Sequence, residues 1–552
     1  MDLPVSKRRK KGGGMQVETW HDEKLAADGE VLTRDQSVTG EIGRVLRDYP
    51  PGTQSLRELV QNADDAGASI IKFFTTEPRT PDLEASCPYL HEGFSDFAGP
   101  ALYTFNDAKF SEQDFKAIRN IGASSKLNDA TKTGKFGLGF NAVYHFTDLP
   151  SFVTGSHLVI MDPHQRMLRG RDGERAFARR WNFVDDPSIR SYAGHVRWFQ
   201  VPGHACDFSG EFDGTMFRFP LRSEQHAHHS ELSKQTWSLE RMRAVFQQFQ
   251  VECKPMLLFL KSVSAVEYWS EEADGNTKLV FRASVNSCDF QGFQGTLRQM
   301  LARAARDSIK AAVQEFLPKM QCTLLAEVCF KSNQKENSNQ WLVSSYLDNS
   351  EVMVFSEEKS QEVPGSRFIP WMLLALPVDE TCEGSLFCFL QLPIKTGMSA
   401  HINGFFELSS NRRELWDGQD LVGPEAVKRD WNKLLFSHLA PRCFLAAVKQ
   451  LTRLRQSDQS MTCANGFWQH SLPPMLVDFE RNFFNLALDA NATELVETPA
   501  GPQQMSACFW IDERLAQDSA VVAALNNLRA PILIAGECPR NHFRRLGKSF
   551  VV

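Results

Sequence analysis

Two hydrophobic periodicities alternate along this chain. From Ser37 to about Ser270, β-rich runs such as Ile70–Phe74, Ala101–Phe105, His157–Met161 and Gly214–Pro220 are separated by helical patterns, which predicts an α/β layer. Asp274, Gly275 and Asn276 form a turn signal. The pattern after it predicts a long amphipathic helix over Leu297–Phe316 and strands over Thr323–Phe330, Trp341–Tyr346, Phe368–Leu376, Leu386–Leu392 and His401–Leu408. A closing helix is expected over Glu425–Leu454. The expected units are a flexible basic lead-in (1–35), a first α/β domain (36–272), a second α/β domain (273–455) and a carboxy-terminal α/β segment (456–552) with a short strand at Pro531–Ala535. No repeat of solenoid or propeller period is present.

Composition narrows the class. With 42% hydrophobic residues, 23% charged residues and 41 Phe, the chain can fill a large core. Its densest apolar runs, Pro255–Leu260 and Trp371–Pro377, fall far short of the ~18 residues that span a bilayer, so no membrane insertion is expected. The SKRRKK run near the amino terminus has no apolar segment behind it, which excludes a secretory signal. The expected location is cytoplasmic, with KRRKK as a possible nuclear address. The 12 cysteines show no C-x-x-C pair or zinc spacing and read as reduced thiols. His226, His228 and His229 fall in a polar stretch without acidic or cysteine ligands, so they read as a solvated loop and not a metal site. A net charge of −6 supplies no overall field for phosphate backbones, which disfavours nucleic acid as a partner.

Chemistry concentrates in Gln54–Ala68, QSLRELVQNADDAGA, a helix-permissive stretch that stops at Gly67 before a strand. At ~100° per residue, Leu56, Leu59, Val60, Ala63 and Ala66 share one side, while Glu58, Asn62 and Asp65 form a stripe on the other. Such a stripe can hold a water, a magnesium ion and a polar ligand in line, or serve as an ordinary solvated face. About seventy residues on, TGKFGLGF places Gly134, Gly137 and Gly139 where backbone N–H groups can wrap phosphate oxygens. The following NAVYHFTD looks helical and would bring a helix amino terminus to them. The GKS at Gly547–Ser549 lacks the upstream glycine of a P-loop, and the glycine order does not fit a dinucleotide fold.

These blocks together resemble the GHKL superfamily of ATPases and, within it, the sacsin-type repeats. RELVQNADDAGA resembles the N box, YTFNDAKFSEQDF the adenine-facing loop, IGASSKLNDATKTGKFGLGFNAVYHFTDLPS the lid and glycine box, and GTMFRFPLR the closing threonine strand. Further on, LPIKTGMSAHINGFFELSSNRRELW is similar to a segment that follows this domain in sacsin-type proteins, so the resemblance covers about Ser37 to Leu451. It implies a Bergerat-type two-layer α/β sandwich, as in heat-shock protein 90 chaperones, followed by an α/β second domain. ATP and Mg2+ would be its ligands, and client proteins or co-chaperones its partners. Glu58 would be the general base that orients water, and Asn62 would ligate magnesium through its amide oxygen, with Asp65 bracing the site. Asn106 and Asp107 stand where the family has D-x-G-x-G; a neutral Asn106 is a weaker acceptor for the adenine amino group. Thr215 would support the adenine end. Ser124, Ser125, Lys126, Gly134, Gly137, Gly139 and Phe140 would meet the phosphates, and Arg412 or Arg413 would reach the γ-phosphate from the second domain. The leading expectation is therefore a weak Mg-dependent ATPase acting as a chaperone-like module, in which nucleotide closes a lid and couples to the second domain. The alternatives are an ATP-binding scaffold with little turnover, a histidine kinase, for which no phospho-acceptor helix stands out, and a nucleic-acid-handling ATPase.

Overall fold

A computed structural model describes residues 38–48, 51–77, 89–118, 139–168, 175–272, 275–332, 335–366, 368–379, 381–409, 413–457 and 472–488, with short pieces at 496–498, 501–504, 509–510, 518–528 and 532–533. The basic lead-in, Ser124, Ser125, Lys126, Gly134, Gly137 and Arg412 lie outside the described residues.

A mixed sheet of fourteen strands runs through both expected α/β domains. Its first eight strands are β1 (Ile70–Thr76), β2 (Ala101–Asn106), β3 (Ser151–Gly155), β4 (His157–Met161), β5 (Ala178–Asn182), β6 (Phe212–Pro220), β7 (Ala265–Glu271) and β8 (Thr277–Val285). They are followed by β9 (Cys322–Ser332), β10 (Glu336–Leu347), β11 (Trp371–Pro377), β12 (Ser385–Cys388), β13 (Leu390–Lys395) and β14 (His401–Gly404). The spatial order is β13-β12-β14-β11-β10-β9-β8-β7-β1-β2-β6-β3-β4-β5. The β1–β7 and β12–β14 pairs are parallel, and the other neighbours are antiparallel. The fold is therefore α+β.

Strand alternation sorts the core into layers. Leu102, Phe217 and Phe219 pack with Leu56 and Val60 of the helix Thr53–Asp65. On the opposite face Tyr103, Phe105 and Met216 pack with Phe94 and Trp198. A further cluster joins Leu374 and Ile402 to Trp431, Phe444 and Phe483.

Several expected elements are divided in the structure. The helix expected over Leu297–Phe316 is two, Cys288–Arg306 and Ile309–Met320, because the Ser308 hydroxyl accepts from the Ala311 N–H and starts a new helix. The run Leu386–Leu392 is two strands, reversed at Phe389 with φ 62°. The last expected helix runs as Gly423–Leu434, a π turn Leu435–Leu439 and Ala440–Ser457. The histidine stretch is not a loop but the short helix Glu224–His229, closed by a reciprocal Ser223–His226 capping box. NAVYHFTD forms a 3-10 turn, Gly139–His145.

Candidate functional site

The helix Thr53–Asp65 is fixed along its length. Leu56, Leu59, Val60 and Ala63 are buried as expected, whereas Ala66 lies exposed beyond the helix end. Gly67, with φ 83°, supplies the left-handed turn that releases the chain into β1. The Ser55 hydroxyl donates to the Ala142 carbonyl (3.0 Å), tying the helix to the 3-10 turn.

Glu58 is 3% exposed, and its Oε1 accepts from Gln54 Nε2 at 3.1 Å. Gly139, buried beside it, has no space for a side chain: a Cβ there would run into Glu58 Oε2. One turn on, Asn62 has a buried Nδ2 with no hydrogen-bond partner. The third member of the stripe, Asp65, is held by Lys261, whose Nζ donates to Oδ1 at 2.5 Å, with both side chains 3% exposed. The neighbouring Asp64 accepts from the backbone N–H groups of Lys261, Ser262 and Val263 at 3.2, 2.7 and 3.0 Å.

On the neighbouring strands β2 and β6, Asn106 and Thr215 are cross-strand partners, and Thr215 is also opposite Thr154. The hydroxyls form a directed chain. Phe110 N–H donates to Thr154 Oγ1 (3.0 Å), Thr154 lies 2.8 Å from Thr215 Oγ1, and Thr215 donates to the Ala108 carbonyl (2.7 Å). Since a carbonyl only accepts, Thr154 is the donor in the middle link. Asn106 Oδ1 accepts from Ala108 N–H at 3.1 Å, so both strands pin the 106–110 loop. Asp107 is exposed and points elsewhere, accepting from the Ser69 and Ile70 N–H groups and the Ser69 hydroxyl. Phe140 packs beside Phe217, ring centroids 5.5 Å apart.

Arg413 reaches the same neighbourhood from the second region. A cavity of about 510 Å3 lies between the helix and that region, walled by Gln54, Arg57, Glu58 and Gln61 on one side and by Leu390, Leu392, Glu407, Arg413 and Lys428 on the other. Arg57 spans it: Nη1 donates to the Gln391 carbonyl of β13 at 3.0 Å, and Nε lies 3.4 Å from Glu252. Burial draws the Arg57 guanidinium below its ordinary value, with Arg413 adding to this and Glu252 and Glu58 opposing it.

The structure thus brings Glu58 together with Gly139 and, across the cavity, with Arg413, sets Asn62 one turn further along the same helix, and pairs Asn106 with Thr215 on neighbouring strands. It turns Asp65 and Asp107 to structural partners. Arg57, Asp64, Thr154 and Lys261 escaped sequence reasoning. Arg57 and Asp64 lie within the N-box stretch, but the chain offers no local sign of partners two to three hundred residues away. Among the described residues no helix is long and apolar enough to cross a membrane.

This combination defines a mixed α/β protein whose helix Thr53–Asp65 carries a buried carboxylate onto a cavity shared with a second α/β region. Residues 35–282 match the sacsin domain family. Over 510 residues the chain is 30% identical to human sacsin, covering 83% of this chain and 10% of sacsin. It is a sacsin-type protein, and it spans about a tenth of the length of that relative. Among solved structures, the N-terminal domain of a DNA repair protein aligns over 76% of this chain and 98% of that one, at 10% identity and a TM-score of 0.29, a likeness too slight to carry an argument.

Proposed function

We propose that this chain binds Mg·ATP in a Bergerat-type site on the helix Thr53–Asp65 and hydrolyses it slowly, serving as a chaperone-like module of the sacsin type that acts on client proteins. The observation that carries this reading is Glu58: a buried carboxylate, oriented by Gln54, set against a glycine and lining a cavity that Arg413 enters from the second region. A general base needs such orientation, and a cation arriving from across a cavity suits charge that develops on a transferred phosphoryl group.

The residues present suit a magnesium ion. Asn62 lies one turn from Glu58, and its neutral amide oxygen, as distinct from the unpartnered Nδ2 donor, is a hard ligand. Bound there, magnesium would neutralise the phosphates. Asn106 Oδ1 already accepts from the Ala108 N–H, but an amide oxygen has two lone pairs and one stays available to an adenine amino group. Asp65 and Asp107 act in this reading by positioning, through Lys261 and the start of β1. We assign 36–272 as the nucleotide-binding part and 273–455 as the part that responds to it.

Calorimetric titration of wild type and Asn62→Ala with Mg·ATP and Mg·GTP, followed by phosphate release from wild type and Glu58→Ala, tests the proposal. Adenine-selective binding lost in Asn62→Ala and release lost in Glu58→Ala are expected. A Glu58→Ala protein that releases phosphate as fast as wild type refutes the hydrolytic assignment. Asn106, neutral where the family has an aspartate, favours a second reading, an ATP-stabilised scaffold; binding without release selects it.

A further inference from the structure

Arg218 lies in the middle of β6, opposite Tyr103 of β2. Thr215 is three residues away on the same strand, so Arg218 points to the other face of the sheet. It is 1% exposed. Its Nε donates to the Tyr103 hydroxyl at 3.1 Å and its Nη2 to the Phe97 carbonyl at 2.6 Å, while Nη1 has no partner. Among the described residues no carboxylate pairs with this guanidinium. A buried cation without a counter-charge is among the most costly arrangements in a protein interior.

Two further donors share its surroundings. The Arg218 guanidinium carbon lies 4.5 Å over the Trp198 ring, and Trp198, 4% exposed, has an indole Nε1–H without a partner. His195, fully buried, stands edge-to-face with Trp198 at 4.5 Å. Its Nε2 accepts from the Leu90 N–H at 3.2 Å. Burial, and secondarily Arg218, push its pKa down to about 3, so the ring is neutral and its one proton sits on Nδ1, which also has no partner.

We propose that Arg218, Trp198 and His195 form a buried binding site for one small inorganic anion of halide size. Three N–H donors, one of them fully charged, are gathered with no acceptor of their own. Water fits poorly, because it brings two protons that need acceptors and leaves Arg218 without a counter-charge. A tetrahedral oxyanion brings more acceptor oxygens than the cluster has unpartnered N–H donors, and the rings of Tyr89 and Phe94 pack directly against His195. A halide only accepts. It would tie the helix Ala193–Trp198 to β6, bracing from behind the two strands that carry Asn106 and Thr215.

The test uses the full chain. Crystals grown in sodium bromide are expected to show an anomalous peak within hydrogen-bond distance of Arg218 Nη1, Trp198 Nε1 and His195 Nδ1; a water there, or no peak, overturns the proposal. In parallel, thermal unfolding is followed at constant ionic strength while chloride replaces gluconate. Wild type is expected to gain several degrees in a saturable manner. Trp198→Phe keeps the aromatic ring and removes one donor, and should raise the half-saturating chloride concentration about tenfold. A chloride response of equal size and midpoint in wild type and Trp198→Phe would refute the site, as a general salt effect produces that result.

Discussion

Replacing Lys261 by methionine removes one charge from a sealed pair and keeps most of the aliphatic stem. Lys261 and Asp65 are each 3% exposed with 2.5 Å between Nζ and Oδ1, and Asp64 lies 3.9 Å from the same ammonium. Asp64 keeps its three backbone N–H donors in the variant, so the lost attraction falls mainly on Asp65. Asp65 is also the last residue of its helix, where the dipole disfavours a carboxylate. Breaking one side of such a buried pair costs about 3–5 kcal/mol. Asp65→Asn leaves Lys261 close to Asp64 and should cost less, about 1–3 kcal/mol. The double variant Lys261→Met/Asp65→Asn removes both charges and is expected to recover most of the loss. Urea unfolding followed by circular dichroism gives the midpoints. A loss below about 1 kcal/mol in Lys261→Met, with no recovery in the double variant, would show that the pair does not support the helix.

Gly139→Ala places a methyl group against the far end of the Glu58 side chain, which can shift; stability should fall by roughly 1 kcal/mol while phosphate release falls at least tenfold with ATP affinity kept. Unchanged release in a folded variant refutes the assigned position of the base. His401 is buried, its Nδ1 accepts from the Ser385 N–H, and burial, with Lys395 adding, pushes its pKa down to about 4. Its contribution to stability is full above the unfolded value of about 6.5 and is lost as pH falls toward 4, roughly 3 kcal/mol across that window. His401→Gln should flatten the wild-type pH profile between those limits, and parallel profiles for the two proteins would count against it.

What the sequence conveyed was local. The β-branched and aromatic runs around Ile70, Ala101, His157 and Gly214 correspond to β1, β2, β4 and β6, because each is buried on at least one face and bounded by turns. The stripe of Glu58 and Asn62 was legible from helical spacing alone. Asp65 lies on the same stripe, but its role depends on a lysine 196 residues away, and no local pattern encodes that distance. The break at Ser308 was hidden because the amphipathic period continues across it, and the reversal at Phe389 because no glycine marks it. Arg218 reads in sequence as an ordinary charged strand residue, and only the strands stacked around it reveal a buried cation.

The contacts at the two ends of the Glu58 helix show how this helix is joined to the rest of the chain. At its carboxy-terminal end, Asp64 and Asp65 grip the 261–263 segment, which leads directly into β7, the parallel neighbour of β1. Lys261 Nζ also lies 5.5 Å over the Phe389 ring, at the reversal between β12 and β13. Toward its amino-terminal end, the Thr53 hydroxyl donates to Glu252, and Arg57 donates to the Gln391 carbonyl of β13. The β12–β13 hairpin therefore meets this helix directly at Gln391 and, through Lys261, indirectly at Phe389. Arg57 and Glu58 are adjacent in this helix, so the side chain that binds Gln391 and the carboxylate that lines the cavity share one element. The helix thus connects the cavity at Glu58 to β13 through Arg57 and to the β12–β13 reversal through Asp65 and Lys261, and separating the second region from this helix would first break the Arg57–Gln391 hydrogen bond.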